Sequence, residues 1–227
     1  GSQAWGSSGL PTSINSSGGV TPLVVGSGEE FIVGYIGGTS PEIGGIILQK
    51  FNQEGNYLFD TTGTAAVYAH YLWGMVDDAH QGCIVLFIKE YDPGLSVQHF
   101  DSLGIGLWGT NGVALEHLSL LKTVPLLQDP LVKYGLLSDS SGGCFVAWGN
   151  EIYTQHVDFE GQIGWGLGGL NVWHTPTGYS RAQNYLSIAY DGNGGIFLTW
   201  DDFNIDMAGT YPTGILVQRI GKDGTIR

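Results

Sequence analysis

The chain has 227 residues, 42% of them hydrophobic and 13% charged, and its 7 Trp, 11 Tyr and 9 Phe supply enough apolar surface for a sizeable core, which excludes global disorder. Lys and Arg number 8 against 21 Asp and Glu, a formal charge of -13, so nucleic acid and anionic membrane surfaces are excluded for want of a basic footprint. No stretch reaches the roughly 18 apolar residues of a membrane span, and no signal peptide is read, so any targeting segment is expected to have been removed.

Along the chain one grammar returns four times. A short strand is predicted at Leu23–Val25, then a turn cluster G-S-G-E-E from Gly26, then a run ending on an aromatic, Phe31–Tyr35. A third strand surrounds Gln49, in Q-K-F-N-Q-E-G-N-Y-L-F-D-T-T-G, and a fourth surrounds Phe59. The second copy places these features at Leu72–Val76, D-A-H-Q-G from Asp78, Cys83–Phe87, Gln98 and Trp108. Ala114–Thr123 then carries a loose helical period ahead of Pro125. The third copy runs through Tyr134–Leu137, D-S-S-G-G from Asp139, Cys144–Trp148, Gln155 and Trp165. The fourth runs through Leu186–Tyr190, D-G-N-G-G from Asp191, Ile196–Trp200 and Gln218, and the chain stops at Arg227, one residue before its next aromatic falls due. A glycine stands six residues after every one of these glutamines (Gly55, Gly104, Gly161, Gly224). In the first three copies a second glycine follows the aromatic (Gly63, Gly112, Gly169).

Four strands per unit, with glutamines 49, 57 and 63 residues apart, fit the blades of a propeller. The expected fold is therefore all-β: a single β-propeller domain of four blades, each of four antiparallel strands, at about 15–63, 64–112, 113–169 and 170–227 plus 1–14. The opening G-S-Q-A-W-G-S-S-G repeats the missing half of the last copy through Gly1, Trp5 and Gly9. An N-terminal strand pairing with the C-terminal blade is expected to close the ring, since an unpaired edge invites association.

These motifs resemble a family of repeats in large secreted bacterial proteins, whose units read approximately D-G-x-G-G-x-x-x-x-W and then Y-x-Q-R-x-D-x-x-G-x-x-x-W-G-x-x-G. Asp191–Trp200 with Gln218-Arg219, and Gln98–Gly112, match best. The resemblance implies a β-propeller-like protein that is secreted or at the cell surface, often part of a larger parent, and implies little about activity. The chain departs from the pattern at Glu29 and Glu30, where glycines are expected, and at Lys50, His99 and His156, where arginine is expected.

The intervals between repeat features locate a candidate site. From the aromatic to the next glutamine the distance is 14, 11, 7 and 18 residues, whereas the turn clusters and the glutamine-to-aromatic steps are constant. Length variation thus collects on the connections at one face, where rigid scaffolds carry recognition. The residues there that suit a sugar or peptide surface are Trp73 and Tyr91 in the second copy and Trp173, His174, Asp201, Asp202 and Tyr211 in the fourth, rings for apolar sugar faces and carboxylates for hydroxyls. The expected function is binding of a glycan or a protein surface by a chain that is not an enzyme. Two alternatives are a glycosidase or lyase using carboxylates from different blades, such as Glu90 with Asp202, and a structural subunit of an array. Neither Asp77–Asp78 nor Asp201–Asp202 forms a catalytic pair alone, because neighbours on a strand point oppositely. No cofactor is expected, and His99 and His156 are read as structural. Asp191-Gly-Asn193 begins like a calcium loop but lacks its closing Glu, which leaves calcium a minor expectation. Cys83 and Cys144 are read as buried free thiols.

Overall fold

In three of the four repeats the turn between the first two strands is organised by one aspartate. Asp78 Oδ1 accepts the N–H groups of His80 and Gly82 at 2.7 and 2.8 Å, Asp139 Oδ1 accepts Gly143 N–H at 2.9 Å, and Asp191 Oδ1 accepts Asn193 and Gly195 N–H at 2.7 and 2.8 Å. Such side-chain-capped turns reverse the chain and fix the register of the strands on either side. The first repeat has glycine in place of that aspartate. It makes a two-residue hairpin instead, Ser27 opposite Glu30, with Gly28 at φ 67° in the position where a II′ turn needs a positive φ.

The computed structural model describes residues 11, 20–40, 43–60, 64–69, 71–89, 94–115, 134–149, 151–173, 181–204 and 214–227. Four antiparallel sheets result, each with its strands in chain order. Sheet 1 holds β1 (Val20–Ser27), β2 (Glu30–Ser40), β3 (Ile43–Asn52) and β4 (Thr64–Tyr68). Sheet 2 holds β5 (Tyr71–Asp77), β6 (Cys83–Ile88), β7 (Leu95–Phe100) and β8 (Val113–Ala114). Sheet 3 holds β9 (Tyr134–Ser138), β10 (Cys144–Trp148), β11 (Ile152–Val157) and β12 (Leu170–Trp173), and sheet 4 holds β13 (Arg181–Tyr190), β14 (Ile196–Asn204) and β15 (Gly214–Ile220). The all-β expectation and the first three strands of every repeat are present, and there is no helix among the described residues. Ala114 ends β8, and the rest of the loosely helical segment lies outside the described residues, apart from the buried Leu115.

The fourth strand differs from expectation. Around the aromatic only single bridges form, at Tyr57, Gly106, Ile163 and Ile226, and the strand proper begins after the second glycine. Gly112 (φ 66°) and Gly169 (φ 77°) lie against the backbone of the third strand, where a Cβ would collide with the carbonyl oxygens of Val97 and Thr154. Glycine is therefore required where the chain passes closest to the third strand, and the fourth strand begins just after it. The sheets run 20–68, 71–114 and 134–173, so β4, β8 and β12 fall beyond the repeat limits at 63, 112 and 169 and close the preceding sheet. Sheet 4 has three strands among the described residues. The closing strand expected from residues 1–14 lies outside them except for Pro11.

The chain divides into two compact units, Gly1–Ala114 with Ser140–Gly142, and Leu115–Asp139 with Gly143–Arg227. In the first, Ile32, Ile36, Ile46 and Leu48 of sheet 1 pack with Leu72, Cys83, Val85 and Phe87 of sheet 2. In the second, Phe145, Ala147 and Ile152 of sheet 3 pack with Ile196, Leu198 and Trp200 of sheet 4. Each such side chain buried contributes about 1.5–3 kcal/mol. Every residue of β6 is buried, which is why its sequence C-I-V-L-F-I is continuously apolar rather than alternating. Cys83 and Cys144 are free and fully buried, and burial pushes both thiols far above the ordinary range.

Candidate functional site

The recurring residues form two structural devices. The first is a staple made by the repeat glutamine. Gln98 Nε2 donates to Gly109 O at 2.6 Å while its Oε1 accepts Trp108 N–H at 3.0 Å, and Gln155 repeats this with Gly166 O at 2.6 Å and Trp165 N–H at 2.9 Å. Gln49, Gln98 and Gln155 are all buried. The staple ties the third strand to the bend that carries the aromatic, and that aromatic packs on the turn glycine of the next sheet: Phe59 on Gly104 and Trp165 on Gly224.

The second device is a charge clip between the turn carboxylate and the residue after the glutamine. Asp78 Oδ2 lies 2.8 Å from His99 Nε2, Asp139 Oδ2 lies 2.9 Å from His156 Nε2, and Asp191 Oδ2 takes Arg219 Nε and Nη2 at 2.9 and 2.7 Å. Burial works to raise the Asp78 carboxyl, but the His99 ring and the N–H groups of His80 and Gly82 outweigh it and hold it below the ordinary carboxylate value. At Asp191 the Asn193 N–H leads, helped by Arg219 and Gly195, and the result is again a lowered carboxyl. Beside these clips a Cβ at Gly82, Gly143 or Gly195 would strike the carbonyl of Phe100, Val157 or Ile220, so the glycine ahead of each second strand is needed for close approach. Both oxygens of Asp191 are thus turned to donors of the chain's own.

Sheet 1 rebuilds the clip with other parts. Glu30 stands at the glycine position and Lys50 at the cation position, and they meet at 2.6 Å. Lys50 is 4% exposed, and its ammonium also donates to Gln81 O at 3.2 Å and Ser102 O at 3.3 Å on the turns of sheet 2, within the same unit. Above it opens a groove of about 470 Å³ lined by Glu30, Lys50, Leu58, Phe59, Asp60, Thr64, Gln81, Ser102 and Leu103. A narrower crevice shares Glu30, Lys50 and Gln81 with the groove and adds Asp77 from β5. The carboxylates of Glu30 and Asp60, a buried ammonium and apolar side chains therefore line one groove. Sequence reasoning noted Glu30 and Lys50 only as departures from the repeat. The missed signal was that both departures occur in the same copy, one at the cation position of the clip and the other at the glycine beside it, where the turn aspartate is itself replaced by glycine.

The residues expected to form the site fall elsewhere. Trp73 is half-buried on β5 with its ring 5.8 Å from that of Tyr71, in the first unit. In the second unit Trp173 is half-buried on β12, 6.3 Å from Trp200, and the half-buried Asp201 follows Trp200 on β14, so the structure brings these elements together. Asp202 is on β14 opposite Gly214. Tyr91, His174 and Tyr211, together with Glu90, lie outside the described residues. Among the described residues no group of three His, Cys, Asp or Glu is placed to hold a metal ion.

No family model and no curated protein matches the chain. Solved structures similar to it include an alpha-L-arabinanase of Cellvibrio cellulosa, at 13% identity over 91% of this chain and 75% of that one, with a TM-score of 0.39. An alpha-L-arabinofuranosidase of Clostridium thermocellum is similar at 12% identity over 91% and 70%, with a TM-score of 0.42. A xylan beta-1,4-xylosidase of Bacillus halodurans is similar at 14% over 95% of this chain and 44% of that one, at 0.40. The expectation that the chain is not an enzyme is corrected here. These similar structures bear the titles of glycosidases, and the non-enzymatic reading is withdrawn.

Proposed function

We propose that the chain is a carbohydrate-active protein of the glycosidase class, with its site in the groove of the first unit and its four sheets as blades of a β-propeller. The observation that carries the reading is a groove of small-molecule size lined by the carboxylates of Glu30 and Asp60, the Lys50 ammonium and apolar side chains, with Asp77 of the neighbouring sheet behind it in a tight crevice that shares Glu30. Glycoside hydrolysis needs two carboxyls from separate supports flanking one bond, which a doublet on a single strand cannot supply. Phe59, Leu58 and Leu103 offer an apolar surface for a sugar face, and Asp60 and the backbone carbonyls offer acceptors for hydroxyls. The propeller reading rests on the meander order of the sheets and the face-to-face packing of successive sheets within each unit. Export, kinship with the secreted repeat family and a second sugar platform at Trp173 and Asp201 belong to the same proposal.

The test is release of reducing ends from a panel of aryl glycosides and polysaccharides that includes arabinan and xylan. Glu30→Gln and Asp77→Asn are each expected to lower kcat by about a hundredfold or more when assayed well below each variant's melting temperature, which falls in Glu30→Gln because the ion pair with Lys50 is weakened. A panel that shows neither release nor binding refutes the proposal.

A further inference from the structure

The turn ahead of the second strand takes one backbone form in three repeats. In D-A-H-Q-G, D-S-S-G-G and D-G-N-G-G the second residue has a positive φ (Ala79 66°, Ser140 63°, Gly192 80°), and so does the fourth (Gln81 70°, Gly142 89°, Gly194 85°). At the fourth place the third and fourth repeats use glycine, which adopts such a φ without a steric penalty. The second repeat holds a glutamine there, in a region that L side chains rarely enter, and residues kept in such conformations cluster at functional sites.

The neighbours show how that side chain is accommodated. A Cβ on Gly194 would lie 3.1 Å from the side chain of Lys222, the fourth residue after Gln218. The matching residue after Gln98 is the smaller Ser102. Gln81 and Ser102 both line the groove of the first unit, and both give their carbonyl oxygens to Lys50. The backbone of Gln81 is thus held by a buried ammonium, while the residue itself is exposed and its carboxamide has no hydrogen-bond partner among the described residues.

The groove is short of donors. The carboxylates of Glu30 and Asp60 only accept when ionised, and the three protons of Lys50 face Glu30, Gln81 O and Ser102 O. That leaves the Gln81 amide, beside the hydroxyls of Thr64 and Ser102, to donate to a ligand. A sugar hydroxyl both donates and accepts, so carboxylates alone satisfy half of it. We infer that Gln81 is a substrate-binding residue of this groove: its carboxamide donates to a hydroxyl oxygen of the bound sugar, and that hydroxyl donates in turn to a groove carboxylate. The inference rests on the glycosidase reading of the groove and adds to it the residue that fixes how the sugar is turned.

The experiment compares the wild type, Gln81→Gly and Gln81→Glu on every member of the glycoside panel that the wild type cleaves or binds, arabinan and xylan included, with a melting curve for each protein. Gln81→Gly is expected to melt at the wild-type temperature or up to about 4 °C above it, because glycine relieves the left-handed backbone. The same variant is expected to raise KM, or Kd where there is binding without cleavage, by about fivefold or more, with the loss falling on KM rather than on kcat. Gln81→Glu keeps the length and the backbone form but exchanges the donor for an acceptor, and is expected to weaken binding at least as much. A wild-type KM or Kd in either variant, or a melting temperature that falls in Gln81→Gly, overturns the inference and leaves the glycosidase reading standing. A wild type that neither cleaves nor binds any member refutes that reading, and the inference falls with it.

Discussion

Replacing Asp78 by asparagine isolates the charge in the best-buried clip. Asp78 is 1% exposed and accepts three hydrogen bonds, from His80 N–H, Gly82 N–H and His99 Nε2. An ionised carboxylate only accepts, so it fixes the ring tautomer with the proton on Nε2. Asparagine keeps the Oδ1 acceptor for both turn N–H groups but presents an amide N–H to the ring N–H. The loss is that of one charged hydrogen bond, about 1.5–3 kcal/mol, and Asp78→Ala, which also strips the turn, is expected to cost about 3–5 kcal/mol. The sign with pH follows from the lowered carboxyl. Its contribution is fully present above the ordinary value of 3.8 and is lost as pH falls towards the lower folded value, because the unfolded chain takes up the proton first. Urea denaturation of wild type and Asp78→Asn at pH 5 and pH 3 is therefore expected to show a gap that narrows in acid, where Asp191 and Asp223, lowered in both proteins, cancel. A gap below about 0.5 kcal/mol at pH 5, or one that widens in acid, refutes the clip as a source of stability.

Gln155→Leu keeps the volume of the staple but leaves Trp165 N–H and Gly166 O without their partner, so urea midpoints are expected to fall by the equivalent of about 2–4 kcal/mol. Gly143→Ala forces a methyl against Val157 O and Asp139 Oδ2, and thermal melts are expected to register about 1–3 kcal/mol of overpacking. Cys83 and Cys144, held as neutral thiols by burial, are expected to resist a thiol reagent at pH 8 in the native protein and to react fully in denaturant. Native reactivity at the rate of a free thiol would show that β6 or β10 is not packed as described.

The strands were legible where a local rule is strong. Asp-led turn clusters, aromatic-terminated apolar runs and the glutamine at fixed offset each identify an element without help from distant residues, and the first three strands of all four repeats form there. The fourth strand begins later than expected, after a glycine whose close, non-local approach to the carbonyl of the third strand spacing alone does not reveal. His99 and His156 were readable as structural from their equivalence, but the identity of their partner was not. Only the folded hairpins show that the residue after the glutamine reaches back to the turn aspartate.

The same relation explains why the candidate site escaped a search guided by loop length. Loop length reports where the scaffold tolerates insertion, but a site can also arise where a repeat exchanges one of its own parts. In sheets 2 to 4 the clip carboxylate is an aspartate bound by turn N–H groups, with glycine next to the second strand because nothing larger fits. In sheet 1 the shorter hairpin removes that aspartate and frees the glycine position, so a longer carboxylate can stand at the head of β2 and reach Lys50. The turn no longer occupies that carboxylate with backbone donors, and Glu30 is left lining a groove with Asp77 nearby. Restoring the repeat tests this directly. Glu30→Gly removes the carboxylate and leaves Lys50 buried with only two carbonyl acceptors, so it is expected to destabilise the first unit by about 3 kcal/mol or more. Adding Lys50→Met to that variant is expected to recover most of the loss, since an apolar chain of similar length needs no partner. Failure of the second change to rescue the first would mean that the pair is not coupled and that Glu30 is an ordinary surface residue.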